Sequence, residues 1–173
     1  MKKMNFQRGF WTMAVALLLL AGAVSCGKVS KNRVSRNWSV EVPHEFPNTN
    51  WAFEEEVLNF DFEIKDTTQR YEVSVTLLYD TAVATLKDIP LALTLSTPDG
   101  MKSFANSHFR LDRQENSKIR LAGSGSFAED EVVVYPDRKF KVPGNYTLTV
   151  YRRAEKADNY GFISLTAKVK VVK

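Results

Sequence analysis

The sequence predicts an all-β protein, an antiparallel β-sandwich of seven to nine strands, immunoglobulin-like or jelly-roll-like. Three observations carry that expectation. Apolar residues recur with a period of two, as in Phe60-x-Phe62-x-Ile64 and Tyr71-x-Val73-x-Val75-x-Leu77-x-Tyr79, the signature of a strand with one buried face. Turn residues punctuate these runs at a spacing of roughly ten. No window of a dozen residues beyond the N-terminal segment carries a helical stripe.

The first element lies outside the sandwich. Lys2, Lys3 and Arg8 precede an uncharged run from Phe10 to Val24, and small residues crowd the approach to Cys26. This is the layout of a secretory signal over residues 1–25. A helix of that run would be about 22 Å long, short of a hydrocarbon core of about 30 Å. Ala23-Val24-Ser25-Cys26 resembles the lipobox of bacterial lipoproteins, which implies that Cys26 is diacylated and becomes the new N-terminus. Cysteine arithmetic points the same way. Cys26 is the only cysteine, so in an oxidising compartment it has no disulfide partner. Thioether lipidation accounts for it, and several acyl chains give durable attachment where one is marginal.

Residues 26–37 read as the lipidated cysteine and a flexible basic tether, with residues 38–173 as a single sandwich domain. The tether holds Lys28, Lys31, Arg33 and Arg36 and no acidic residue. Such a composition favours disorder. Each cation near an anionic leaflet adds up to about 1 kcal/mol, though a solvated spacer fits the segment equally well. Lipoproteins sent to the Bacteroidetes cell surface typically carry acidic residues at this point. By that analogy the opposite sign here favours a periplasm-facing position. The formal net charge of +4 resides in the signal and tether, so no basic face remains for nucleic acid.

The domain begins with a short extended segment between Pro43 and Pro47, flanked by Trp38 and Trp51. The Phe60 and Tyr71 runs follow, with Lys65-Asp66-Thr67-Thr68-Gln69 between them as a hairpin connection. Ile89, Leu91, Leu93 and Leu95 repeat the alternation, and Pro90 suits an edge or the start of a strand. In Thr97-Pro98-Asp99-Gly100 the proline presets one turn residue and the glycine accepts positive φ. Phe104, Phe109 and Leu111 indicate a weaker strand interrupted near Asn106-Ser107. Ile119 and Leu121 lead into Gly123-Ser124-Gly125-Ser126, a glycine-relieved strand or bulge. Tyr135-Pro136-Asp137 is expected to break the segment between Val132–Val134 and Phe140–Val142. Pro143-Gly144-Asn145-Tyr146 turns into a strand through Leu148 and Val150, with Tyr146 placed as the tyrosine corner of a sandwich. The last strand alternates Ile163, Leu165, Ala167, Val169 and Val171 with Ser164, Thr166, Lys168 and Lys170.

Taken in order, several of these features resemble the gliding-motility lipoprotein GldH family of Bacteroidetes. They are the lipidated start, Trp51 before Phe60-x-Phe62-x-Ile64, the Tyr71 strand, and the strand and Pro-Asp-Gly turn from Ile89 to Gly100. Arg120-Leu121-Ala122-Gly123-Ser124-Gly125, Phe140-x-x-Pro-Gly-x-Tyr146 and Tyr160-Gly161-Phe162-Ile163 complete the series. The resemblance spans the whole mature domain. It implies an outer-membrane lipoprotein that serves as an accessory or structural part of an envelope machine, and it supplies no catalytic residue.

Catalytic and metal constellations are weak on the same reading. His44 and His108 have no H-x-H or H-E-x-x-H partner. The Gly123–Ser126 stretch lacks G-x-S-x-G and the Gly-Lys-Ser/Thr of a phosphate loop. Glu54-Glu55-Glu56 and Glu129-Asp130-Glu131 lack the spaced oxygens of a calcium loop. Asp66-Thr67-Thr68 and Asp80-Thr81-Ala82 resemble the acceptor triplet of the Bacteroidetes O-glycosylation system, which makes Thr67 and Thr81 candidate glycan sites. Trp38, Trp51, Tyr79, Tyr135, Tyr151 and Tyr160 are the aromatics that could form an exposed platform. The reading is therefore a non-enzymatic envelope lipoprotein without catalytic, metal or cofactor site, held in the membrane by its lipid and acting through protein partners. A carbohydrate- or peptide-binding sandwich, with a glycan as ligand, is the alternative.

Overall fold

A computed structural model describes residues 34–52, 57–84, 86–111, 118–122, 125–153 and 159–172. The signal segment, Cys26, most of the tether, the Glu54–Glu56 run and Gly123-Ser124 lie outside the described residues. Alternation in the sequence becomes two antiparallel sheets packed face to face. One sheet is built from β1 (Ser39–Glu45), β4 (Tyr71–Asp80), β7 (Lys118–Ala122), β8 (Gly125–Arg138) and β11 (Phe162–Val171), in the order β1-β11-β4-β8-β7. The other holds β3 (Val57–Ile64), β5 (Asp88–Ser96), β6 (Lys102–Arg110) and β9 (Gly144–Arg152), in the order β3-β9-β5-β6. These nine strands are the sandwich expected from the sequence. A two-residue ribbon, β2 (Asn50–Trp51) with β10 (Asn159–Tyr160), lies beside them.

The core is the set of inward residues that the period of two selects. Phe60, Phe62 and Ile64 of β3 and Tyr71, Val73, Val75 and Leu77 of β4 are all buried. Leu91, Leu93 and Leu95 of β5 meet Leu148 and Val150 of β9 in the same layer. At one end Phe140 wedges between the sheets, 5.3 Å from Tyr71 and 4.6 Å from Tyr146 between ring centroids. The Tyr146 hydroxyl donates to the Val142 carbonyl at 2.5 Å, as the corner motif requires.

Four local expectations are corrected. Residues 65–69 do not close a hairpin, because β3 pairs with β9 and β4 with β11 and β8. The segment is an arch that carries the chain from one sheet to the other. Pro136 does not break the strand: β8 runs to Arg138, and its register against β4 slips between Tyr71 and Ser74. A bulge absorbs the missing N–H. Strand β6 is continuous from Lys102 to Arg110 against β5. Phe104 and Phe109, an odd number of residues apart, simply face opposite sides. Val34, placed in the tether by composition, packs on the core, and its amide donates to Asp66 Oδ2 at 3.2 Å.

The tether end gathers Val34, the 65–70 arch, the 97–101 turn and the 139–143 segment, and the far end holds β2, β10 and the 81–84 turn.

Candidate functional site

Among the described residues, no group of three or more His, Cys, Asp and Glu side chains is placed to hold a metal ion. His44 lies on β1, with its ring 5.2 Å from Phe46. His108 lies on β6 in the other sheet and accepts from Arg110 Nε at 2.8 Å. The fold does not bring the two histidines onto one sheet.

The aromatic candidates are dispersed. Trp51 is buried, stacked on Phe46 at 5.0 Å and edge-on to Phe162 at 6.4 Å, with the Arg152 guanidinium 5.7 Å from its ring centroid. Tyr79 is also buried, because its position on β4 has the inward parity of Val73 and Val75. Neither can belong to an exposed platform. Trp38 is half-buried, edge-on to Tyr71 at 5.8 Å. Tyr135 is half-buried as well and donates to the Ser103 carbonyl at 3.3 Å. Tyr151 and Tyr160 are exposed, on β9 and β10 respectively. Only Tyr151 stands on the outside of a main sheet, where sequence reasoning gave it no special neighbours.

Those neighbours emerge from comparing the outer faces of the two sheets. The five-stranded sheet is laced with charge. Lys168 pairs with Glu41 at 2.6 Å, Lys170 with Glu72 at 2.7 Å, and Ser74 donates to Glu131 at 2.8 Å. Val133 is exposed there, in register with Ser74. The outer face of the four-stranded sheet differs. Its two central strands present Ala92, Thr94 and Ser96 from β5 and Asn145, Thr147, Thr149 and Tyr151 from β9, an uncharged stretch that ends at Asp88 on β5. Thr147 and Thr149 donate to Asp61 and Asn59 of β3 at 2.6 and 2.8 Å, which leaves the hydroxyls engaged. Register places Val57, Tyr151, Ala92 and Asn106 in one row across the sheet, and Asn59, Thr149, Thr94 and Phe104 in the next. Phe104 is 76% exposed, and Val57 and Tyr151 are exposed beside the short side chains between them. Charge surrounds that stretch: Asp61 and Glu63 on β3, Lys102 and Arg110 on β6, and Asp88 at the far end of β5. Interface cores are depleted in charge and enriched in aromatics, so this face has the composition of a contact surface.

A second feature is a groove of about 400 Å³ at the tether end, between the 97–103 and 137–142 segments above Phe140 and Tyr146. Arg138 donates to Ser103 Oγ at 2.8 Å and lies 5.2 Å from the Tyr135 ring centroid. Asp137 accepts from Arg70, which holds its carboxyl below the usual range. The Thr97 hydroxyl does the same for Asp99. Burial pushes the Tyr146 and Tyr135 phenols up. At the far end, burial raises Asp130 although it accepts from the Arg110 amide at 3.0 Å.

A family model described as GldH lipoprotein matches residues 39–165. No curated protein matches the chain. Among solved structures, a structure of infectious bursal disease virus, Gx strain, aligns at 10% identity over 79% of this chain and 32% of that one, with a TM-score of 0.32. Dimeric latent PorU from Porphyromonas gingivalis aligns at 14% identity over 81% of this chain and 13% of its own, with a TM-score of 0.33. The chain thus spans a third or less of either protein, and at these scores the likenesses bear on neither fold nor function.

Proposed function

The chain belongs to the GldH lipoprotein family, and from that premise we propose that it is an accessory or scaffold protein of the outer membrane, facing the periplasm and working through protein–protein contacts made by the outer face of its four-stranded sheet. The observation that supports this is the contrast between the two faces: one carries ion pairs across β1, β11 and β4, the other an uncharged centre with Phe104, Tyr151 and Val57 exposed around it. Acylation of Cys26 confines the protein to a surface and raises its effective concentration near membrane partners, so a modest contact area suffices. The same reading places it in the machinery that the family is named for, and assigns it no catalysis. Of the two acceptor triplets, Thr81 is exposed and Thr67 half-buried, so O-glycosylation is proposed first at Thr81.

The test is a double variant, Phe104→Asp with Tyr151→Asp, in the native lipoprotein. As surface changes, the two substitutions should alter stability by only about 0.5 kcal/mol each. Partner proteins recovered with the wild type after membrane solubilisation should be lost, while a Thr76→Asp variant on the other sheet retains them. Recovery unchanged in the double variant and lost in Thr76→Asp would contradict the assignment.

A further inference from the structure

The charge on the sandwich is distributed along the strand axes, and this bears on how the body sits over the membrane. At the tether end, Arg36, Lys102, Lys139 and Lys141 are exposed and have no ion-pair partner among the described residues. Lys139 and Lys141 straddle Phe140, whose ring is buried, so both ammonium groups stand at the rim of the groove. Arg138 lines the groove beside them, held by Ser103. The carboxylates there are mostly committed: Asp137 to Arg70, Glu63 to Lys65 at 3.1 Å, Glu72 to Lys170, and Asp66 to backbone amides. Asp99, bonded to Thr97, is the exception. Met101 projects at the same end with 66% of its surface exposed. The far end is mixed, with Glu45, Asp80 and Asp88 at strand termini and Glu129 and Asp130 within β8, beside Lys87, Arg110, Arg152 and Arg153.

The described chain also starts at the basic end, where the Val34 amide meets Asp66. Eight peptide units separate Cys26 from Val34, a reach of at most about 28 Å. The basic end is therefore the one that a lipid on Cys26 brings to the bilayer.

We propose that this end docks on an anionic membrane surface, with Lys102, Arg138, Lys139 and Lys141 over headgroup phosphates and Met101 entering the interfacial layer. Strand axes then stand away from the membrane, and the uncharged face of the four-stranded sheet looks sideways along it, toward partners anchored in the same bilayer. The inference rests on the lipid anchor at Cys26, and it holds whether or not the four-stranded face binds a protein.

The experiment uses the full, acylated protein reconstituted in vesicles. Because Cys26 is the only cysteine and its sulfur is blocked by lipid, a Met101→Cys variant takes an environment-sensitive fluorophore at one place. Val83→Cys supplies the control at the far end. In phosphatidylcholine vesicles with about 30% phosphatidylglycerol, an aqueous quencher should act at least about threefold more slowly on the position-101 probe than on the position-83 probe. About 0.5 M NaCl, which shortens screening to a few ångströms, should abolish the difference. So should Lys139→Glu with Lys141→Glu, whose thermal unfolding is checked separately. Equal quenching at the two positions in anionic vesicles would overturn the docking while the protein still floats with the lipid. Protection that appears only when a protein is crosslinked at position 101 would assign the groove to a polypeptide instead. Failure of the anchor is distinguishable, because the protein would then carry no palmitate label and would not float.

Discussion

Asp66 shows how much one side chain can organise. Its carboxylate accepts from the Thr68 amide at 2.9 Å, from the Thr68 hydroxyl at 2.6 Å and from the Val34 amide, while its carbonyl accepts from the Tyr71 hydroxyl at 2.6 Å. Desolvation opposes the charged form, but these donors outweigh it and hold the pKa below the ordinary value. Desolvation, with the Asp66 charge, pushes the Tyr71 phenol up to about 12. A carboxyl whose pKa is lower folded than unfolded stabilises above its unfolded value, and that stability is lost as pH falls through the folded one. Asp66→Ala should therefore cost about 2 kcal/mol near neutrality and lose less stability than wild type as pH drops from about 5 to about 3. Urea titration at both pH values checks this; an unchanged midpoint near neutrality would refute it. Tyr146→Phe, which deletes the corner hydrogen bond, should cost about 1 kcal/mol in the same assay. The corner was legible in Pro-Gly-x-Tyr because the motif is local. The role of Asp66 was not, since its amide partner Val34 is thirty-two residues away. Trp51 and Tyr79 were misjudged as surface candidates for a related reason: being aromatic does not say which face of a strand a ring occupies.

At the scale of elements, alternation reveals which residues face inward and says nothing about which strands pair. This is why β3 and β4 each had the right inward set while the connection between them was misassigned to a hairpin. Strand β6 was legible only in part, because a strand whose outer face carries Phe104 breaks the apolar-in, polar-out pattern that makes strands visible. The exposed phenylalanine that obscured the strand is the same residue that marks the proposed contact face. Pro136 was read as a breaker because a bulge depends on the partner strand. Gly161 is a sharper local constraint. It has φ +87°, and a Cβ there would lie 2.6 Å from the Ala84 amide nitrogen, while its carbonyl accepts from Asp80 at 2.7 Å. Gly161→Ala should destabilise by about 1–3 kcal/mol, through backbone strain and displacement of the 81–84 turn. A thermal midpoint within a degree or so of wild type would contradict that account, since 1 kcal/mol corresponds to about 2–4 °C for a domain of this size.

For the whole molecule, two asymmetries stand out: cations left unpaired among the described residues, at the end where the described chain enters the fold, and an uncharged centre on one outer sheet face only. The charge asymmetry was partly legible, because the signal and tether could be subtracted from the total. The cluster of cations at one end was not, since it arises from strand directions that bring Lys139 and Lys102 to the same end. The two sheet faces could be told apart only once register was known. Family membership fixes the class of protein, a lipoprotein, and holding partners through one sheet face while standing on a membrane is the proposal that the contrast between the faces supports.

The most direct test of that claim is site-specific photocrosslinking in living cells, with a photoreactive side chain placed in turn at Phe104, Tyr151, Thr76 and Thr166. The account predicts that Phe104 and Tyr151, neighbours on the uncharged face, trap the same envelope protein, and that Thr76 and Thr166 on the ion-paired sheet trap none. A partner captured from Thr76 and Thr166, with Phe104 and Tyr151 silent, would contradict it.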